Sequence, residues 1–201
     1  LATVDGLNIY DKTNDRFTRI FNNEYLEDQE IYSLDEDING DIWLGGSKNI
    51  TKINLKNNTC EDFSDINKKY EKINDCAYKV LCDDKYIWVG TVSNGLYKIN
   101  IETYEIETIN SSNSKIPSNR IHTIMKDKNG IMWIGTDSGL VKYDSKNDEY
   151  NTYVNKAYDK YSLVDDYVYS VIQDRSGLIW VGTYAGVSMF EPENKIEHYK
   201  V

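Results

Sequence analysis

Ile42-Trp43-Leu44-Gly45-Gly46, Ile87-Trp88-Val89-Gly90-Thr91, Met132-Trp133-Ile134-Gly135-Thr136 and Ile179-Trp180-Val181-Gly182-Thr183 are four versions of one phrase, and they hold all 4 tryptophans of the 201-residue chain. The tryptophans stand 45, 45 and 47 residues apart, a period that fits one blade of a β-propeller. Working outward, an Asp lies six residues before three of them, at Asp37, Asp127 and Asp174. In the second copy Asp83 lies five before, because the turn Asp83-Asp84-Lys85 has lost a residue and its glycine. Downstream of each Trp the chain reads Gly-Leu or a degenerate form and then an aromatic or Ile, as in Gly95-Leu96-Tyr97, Gly139-Leu140-Val141-Lys142-Tyr143-Asp144 and Gly186-Val187-Ser188-Met189-Phe190.

Each period therefore reads as four short antiparallel strands, A to D. Ile121 to Met125 is a strand A, and Asp127-Lys128-Asn129-Gly130 reverses the chain, since Asn-Gly supplies the positive φ angles of a tight hairpin. Strand B carries the Trp, strand C ends at Tyr143-Asp144, and Ser145 to Asp148 turns into strand D at Glu149 to Tyr153. Thr3 to Asp11 aligns with Thr136 to Asp144, so residues 1 to about 22 supply only the end of a strand B with strands C and D. The expected fold is all-β: one propeller fragment over 1–201, with a partial blade at 1–22 and whole blades at about 29–64, 75–110, 119–154 and 166–201. The last blade leaves no vacancy for the N-terminal half-blade, so the sequence predicts a piece of a longer propeller with open blade faces. Such faces predict self-association; a strictly monomeric species in light scattering would count against it.

Composition agrees and narrows the function. At 40% hydrophobic the chain can bury a core, and 17 tyrosines with many Ile, Val and Thr favour strands. The 33 acidic against 23 basic residues give a formal charge of −10, which repels phosphate and makes nucleic acid an unsuitable partner. No run approaches the ~18 apolar residues of a membrane span, and LATVDGLNIY lacks the charged start and apolar run of a signal peptide. The chain starts with Leu, so a targeting or membrane segment can lie outside it. Three cysteines cannot all pair with one another; Cys76 and Cys82 on one strand would be about 20 Å apart, far beyond disulfide reach. Free thiols are expected. No metal site is expected either, because there is no CxxC and His122 and His198 stand far from cysteines or acidic pairs at ligand spacing.

Ile116-Pro117-Ser118-Asn119-Arg120-Ile121-His122-Thr123-Ile124 followed by Asp127, Gly130 and Trp133-Ile134-Gly135-Thr136 resembles the two-component regulator propeller repeat. Tyr161 to Val171 with Asp174, Gly177 and Trp180-Val181-Gly182-Thr183 resembles it equally. The first two copies depart from the pattern at Gly46-Ser47-Lys48-Asn49 and at the short Asp83 turn. The resemblance implies an extracytoplasmic sensor region of a membrane-bound signalling protein, often a hybrid histidine kinase, that binds a small molecule or an oligosaccharide. The kinase or other output module is not in these residues, and no cofactor is implied.

Candidate sites follow from residue type and place. The repeated Trp is expected to pack between blades, with the following Gly as room for close backbone approach. Asp35-Glu36-Asp37-Ile38-Asn39-Gly40 begins like a calcium loop, but the twelfth position, where a Glu is needed, is Gly46, so it reads as a β-turn. Catalytic motifs such as Gly-x-Ser-x-Gly, His-Glu-x-x-His and Gly-x-x-x-x-Gly-Lys are absent, and no catalytic residue is assigned. In a propeller, the D-to-A connections and B-to-C loops share one face and strand A lines the channel. Asp5, Lys48, Asn94, Asp137 and Tyr184 belong to the loops of that face, and Tyr32, Tyr78, Arg120, His122, Tyr167 and Tyr169 to strand A and its approach. Tyr32, Tyr78, Arg120, His122, Asp137, Tyr167, Tyr169 and Tyr184 are the ligand candidates: tyrosine faces suit sugar or aromatic rings, and Arg120 and Asp137 can fix polar groups. The same tyrosines could instead pack against the next blade. A protein-interaction scaffold and, third, a propeller lyase or hydrolase stay open as rival functions.

Overall fold

In a computed structural model the described residues are 2–3, 6–20, 26, 30–63, 73, 75–192 and 197–199. The blade limits at 22, 29, 64 and 201, and Asp5, lie outside them. Nineteen strands run through the described residues. The N-terminal sheet contains β1 (Ala2–Thr3), β2 (Gly6–Asp11) and β3 (Arg16–Ile20), the strand-B end and strands C and D read from the sequence. Four four-stranded meanders follow. The first blade is β4 (Ile31–Glu36), β5 (Ile42–Gly46), β6 (Ile50–Asn54) and β7 (Thr59–Asp62); the second is β8 (Ala77–Cys82), β9 (Tyr86–Thr91), β10 (Leu96–Asn100) and β11 (Ile106–Ile109). The third is β12 (Ile121–Lys126), β13 (Met132–Thr136), β14 (Gly139–Asp144) and β15 (Glu149–Tyr153); the fourth is β16 (Val168–Gln173), β17 (Ile179–Thr183), β18 (Gly186–Phe190) and β19 (Glu197–Tyr199). Within each sheet, sequential strands are neighbours. Among the described residues no helix is long and apolar enough to cross a membrane, and Cys60, Cys76 and Cys82 form no disulfide.

Two compact units divide the chain: Leu1–Thr91 with Tyr97–Glu107, and Val92–Leu96 with Thr108–Val201. In the first, Leu7, Ile31, Leu44 and Ile53 join the N-terminal sheet to the first blade. Trp43 then packs with Phe63, Ala77, Val80, Val89 and Ile99, between the first and second blades. In the second unit Trp133 takes the same place, against Leu163, Val168, Val171, Val181 and Phe190. The strand-C residue opposite each of these tryptophans is a lysine, Lys52 and Lys142, whose ammonium lies 5.7 and 5.8 Å from the ring centroid, within cation–π range. Close approach of neighbouring sheets explains Gly135. A Cβ there would stand 2.7 Å from Val168 Cγ1 and 2.9 Å from the Val168 carbonyl oxygen, so any side chain would push strands β13 and β16 apart.

The A-to-B hairpins depend on the Asp that precedes each Trp. Oδ1 of Asp127 accepts the backbone N–H groups of Asn129 and Ile131 at 2.9 and 3.0 Å, and Oδ2 accepts the Trp133 indole N–H at 2.9 Å. Asp37 and Asp174 repeat the indole bond at 2.8 Å, and Asp83 makes it to Trp88 at 2.9 Å. Both oxygens of Asp37 are thus occupied by N–H donors, the turn chemistry expected there in place of a calcium ligand. The turn type differs from expectation. Only Gly130 has positive φ (83°), and the Asp127 N–H bonds the Ile131 carbonyl at 2.9 Å, so the loop is three residues ending in a left-handed glycine rather than an Asn-Gly mirror turn. Asn129 does not take a positive φ, and its N–H is captured by the carboxylate.

Replacing Asp127 by Ala strips acceptors from two backbone donors and a buried indole. The expected loss is about 3 kcal/mol in urea unfolding; a loss below ~0.5 kcal/mol would show the bond to be dispensable. Asp174 adds a pH dependence: bonds from Ser176 and the Trp180 indole lower its pKa to about 2. A depressed carboxyl pKa stabilises the fold above the ordinary value near ~4 and loses that contribution as pH falls through the folded value. The gap in urea midpoint between the native chain and Asp174→Asn should therefore be full at pH 6, narrow below pH ~4 and close near pH ~2. A pH-independent gap would contradict this.

Candidate ligand site

The site begins with a fault in the ladder that recurs at the same place in all four blades. In β12, Ile121 faces Thr136 and Thr123 faces Gly135, leaving His122 as one extra residue. Ile31 and Ser33 face Gly46 and Gly45, leaving Tyr32; Ala77 and Lys79 face Thr91 and Gly90, leaving Tyr78; Val168 and Ser170 face Thr183 and Gly182, leaving Tyr169. Each is a β-bulge, a device that redirects one side chain without rebuilding the sheet. The bulged residue is aromatic every time. Sequence reasoning chose these four by residue type and place but missed the bulge.

In the first unit the bulged pair meets edge to face, with Tyr32 and Tyr78 ring centroids 5.4 Å apart. The Tyr32 hydroxyl donates to Glu30 Oε2 at 2.6 Å, and that bond, helped by desolvation, raises its pKa well above the usual phenol value. Cys76 lies beside it with its pKa also raised, chiefly by burial and then by the Asp75 charge, so the thiol is protonated at neutral pH and a poor nucleophile.

In the second unit the bulged pair, His122 and Tyr169, lies beside a carboxylate and a guanidinium. His122 and Tyr169 have centroids 5.1 Å apart, with Tyr167 6.2 Å from each. The His122 Nε2–H donates to Asp137 Oδ1 at 2.5 Å, and Arg120 Nε lies 3.4 Å from Asp137 Oδ2. The His122 side chain is 11% exposed and that of Arg120 is 45%, so the imidazole forms the floor and the guanidinium the rim. Tyr167 and Tyr169 are 45% and 48% exposed. Loop anchoring brings the parts together: the Gly139 N–H bonds the Asp166 carbonyl at 2.8 Å, and the Tyr184 N–H bonds the Tyr167 carbonyl at 3.0 Å. Of the eight candidates, Arg120, His122, Asp137, Tyr167 and Tyr169 form one cluster. Tyr184 is tied to it through its backbone, its side chain 78% exposed. Tyr32 and Tyr78 form a separate pair in the first unit. Chemically the cluster offers aromatic faces, a carboxylate and a guanidinium with exposed surface, which is the equipment for binding a ring with polar substituents.

Residues 115–138 and 162–185 each match the family described as two component regulator propeller. These two segments, one in the third blade and one in the fourth, match the two-component regulator propeller repeat. The bulges at His122 and Tyr169 both fall inside the matched segments. Comparison with curated proteins found no match. Among solved structures, the propeller resembles the extracellular domain of the proposed hybrid two-component system BT4673 from B. thetaiotaomicron, with a TM-score of 0.82 and 19% identity over 100% of this chain and 26% of that one. It also resembles the extracellular domain of BT3049 from the same organism, with a TM-score of 0.64 and 14% identity over 98% of this chain and 38% of that one. A third likeness is to catalytically inactive virginiamycin B lyase from Staphylococcus aureus with quinupristin, with a TM-score of 0.70 and 16% identity over 98% of this chain and 63% of that one. The chain spans about a quarter of the BT4673 domain. These likenesses establish the fold, an all-β propeller shared with extracellular regions of two-component systems and with a lyase.

Proposed function

We propose that the chain is part of the ligand-sensing, extracytoplasmic propeller of a membrane-bound signal-transduction protein of the two-component type, and that this region is non-enzymatic. The ligand is a small molecule or an oligosaccharide held against Tyr167 and Tyr169, with Arg120, Asp137 and His122 fixing its polar groups. One observation carries the reading: the extra residue of each strand A is aromatic, and in the second unit it lies beside a half-exposed arginine paired with Asp137. A bulged residue makes no regular ladder pair, so its side chain can follow a ligand at little cost to the sheet. The repeat match and the extracellular neighbours support the signalling context. Transmission requires that ligand bind one arrangement of the parent protein more tightly than another.

Thermal shift against a panel of oligosaccharides and small metabolites tests this. A ligand specific for the folded state at 100 times its Kd stabilises by about 2.7 kcal/mol, and Tyr169→Ala should abolish the shift while leaving the unliganded melting temperature within a few degrees. No saturable shift across the panel, with a protein partner retained instead, would replace the sensor with the scaffold reading. Turnover of the bound compound would replace it with the lyase reading, for which the hydrogen-bonded His122 and Asp137 pair is the place to look.

A further inference from the structure

Resting on the proposed ligand site, the geometry points to its chemical class: we infer that the second-unit cluster takes an acidic sugar, a ring whose carboxylate is gripped by Arg120. Arg120 approaches Asp137 through Nε at 3.4 Å, and its backbone N–H is held by Ser118 Oγ at 3.1 Å. Among the described residues its two terminal nitrogens make no hydrogen bond, and the side chain is 45% exposed. Asp137 therefore orients the fork from behind and leaves its donor edge open. A planar edge of paired N–H donors fits a carboxylate in bidentate fashion, which a neutral hydroxyl cannot match.

Asp137 does not cancel that preference. Its Oδ1 is occupied by the His122 Nε2–H at 2.5 Å and its side chain is only 23% exposed, so the carboxylate is turned inward and the guanidinium outward. The body of the ligand is set by the rings around His122, which shares the Asp137 carboxylate with Arg120. Tyr169 and Tyr167 present half-exposed rings within 6.2 Å of each other and of His122, apolar walls with hydroxyl tips that suit the C–H face of a sugar ring. The first-unit pair differs: the Tyr32 hydroxyl donates to Glu30, a carboxylate that repels acids. Acidic-sugar recognition is accordingly assigned to the second unit alone.

The test titrates the 201-residue chain, by calorimetry at low and physiological salt, with the disaccharides of galacturonic, glucuronic and mannuronic acid, their methyl esters and ferulic acid. The expected result is saturable binding of at least one acidic disaccharide, weakened about tenfold or more by esterification and by Arg120→Gln, with Arg120→Lys intermediate. Ferulic acid binding with the same Arg120 dependence, and no disaccharide binding, would overturn the sugar body while keeping the carboxylate grip. Equal binding of acid and ester, or an unchanged affinity in Arg120→Gln, would overturn the inference; if that binding is still lost in Tyr169→Ala, the ligand-site reading survives it. Failure of every acidic probe also overturns it, and the neutral members of the thermal-shift panel then decide separately whether the site binds anything.

Discussion

A carboxylate shared between a turn and an indole is the constraint on which the rest of the structure depends. A buried Trp brings a large apolar surface to the gap between sheets, but its N–H must find an acceptor or cost about 1–3 kcal/mol. Asp37, Asp83, Asp127 and Asp174 supply that acceptor with one oxygen and tie down the hairpin with the other. The second blade shows which part of the arrangement is fixed. Its turn is a residue shorter and has no glycine, yet the 2.9 Å bond from the Trp88 indole to Asp83 is kept. Loop length adjusts around the bond.

Rigid placement of strand B has consequences across the sheet. Gly45 and Gly135, two residues after Trp43 and Trp133, let the next blade's strand A approach, at Ala77 and Val168. The bulge lies directly across from this glycine position in every blade. In β8 and β16 strand A serves both the ladder within its own sheet and the contact with the preceding blade, and an extra residue satisfies both while throwing one side chain outward. That side chain is Tyr, Tyr, His and Tyr in succession. Variation is concentrated where the scaffold makes no demand on identity.

The period, the four strands per blade, the C-to-D turns and the packing role of Trp were legible because they repeat, and repetition separates a rule from chance. The bulge was not legible. It shifts the register by one residue in a strand of six, too little for any alternation of apolar and polar residues to reveal. The Asn129-Gly130 turn departs from its dipeptide preference for a related reason: the Asp127 carboxylate, six residues before the Trp, competes for the Asn129 N–H. The candidate residues were legible as types, and their grouping was not. Counting back from the Asp127 turn sets position 137 opposite 121 in an unbroken ladder and opposite 120 once the bulge is included, so the meeting of Arg120 and Asp137 follows from a feature the sequence hides.

The charges of the second-unit cluster make little sense as stabilisers. A half-exposed pair such as Arg120 and Asp137 contributes at most about 1 kcal/mol, since water and salt screen it and the long side chain loses freedom. Partly buried lysines over Trp43, Trp88 and Trp133 do the structural work of cations in this fold, with Lys52 also bonded to Asp41 at 2.7 Å. Arg120 lies outside that scheme: it covers no indole and closes no turn. What Asp137 gives it is direction. Orientation by an inward-facing carboxylate removes rotamer freedom in advance, so a ligand meeting the fork loses less entropy on binding. Stability is thus vested in the Asp and Trp of each hairpin, and recognition in the bulge and its neighbours, two sets of residues that share strands and exchange no hydrogen bond in the third blade's A-to-B hairpin.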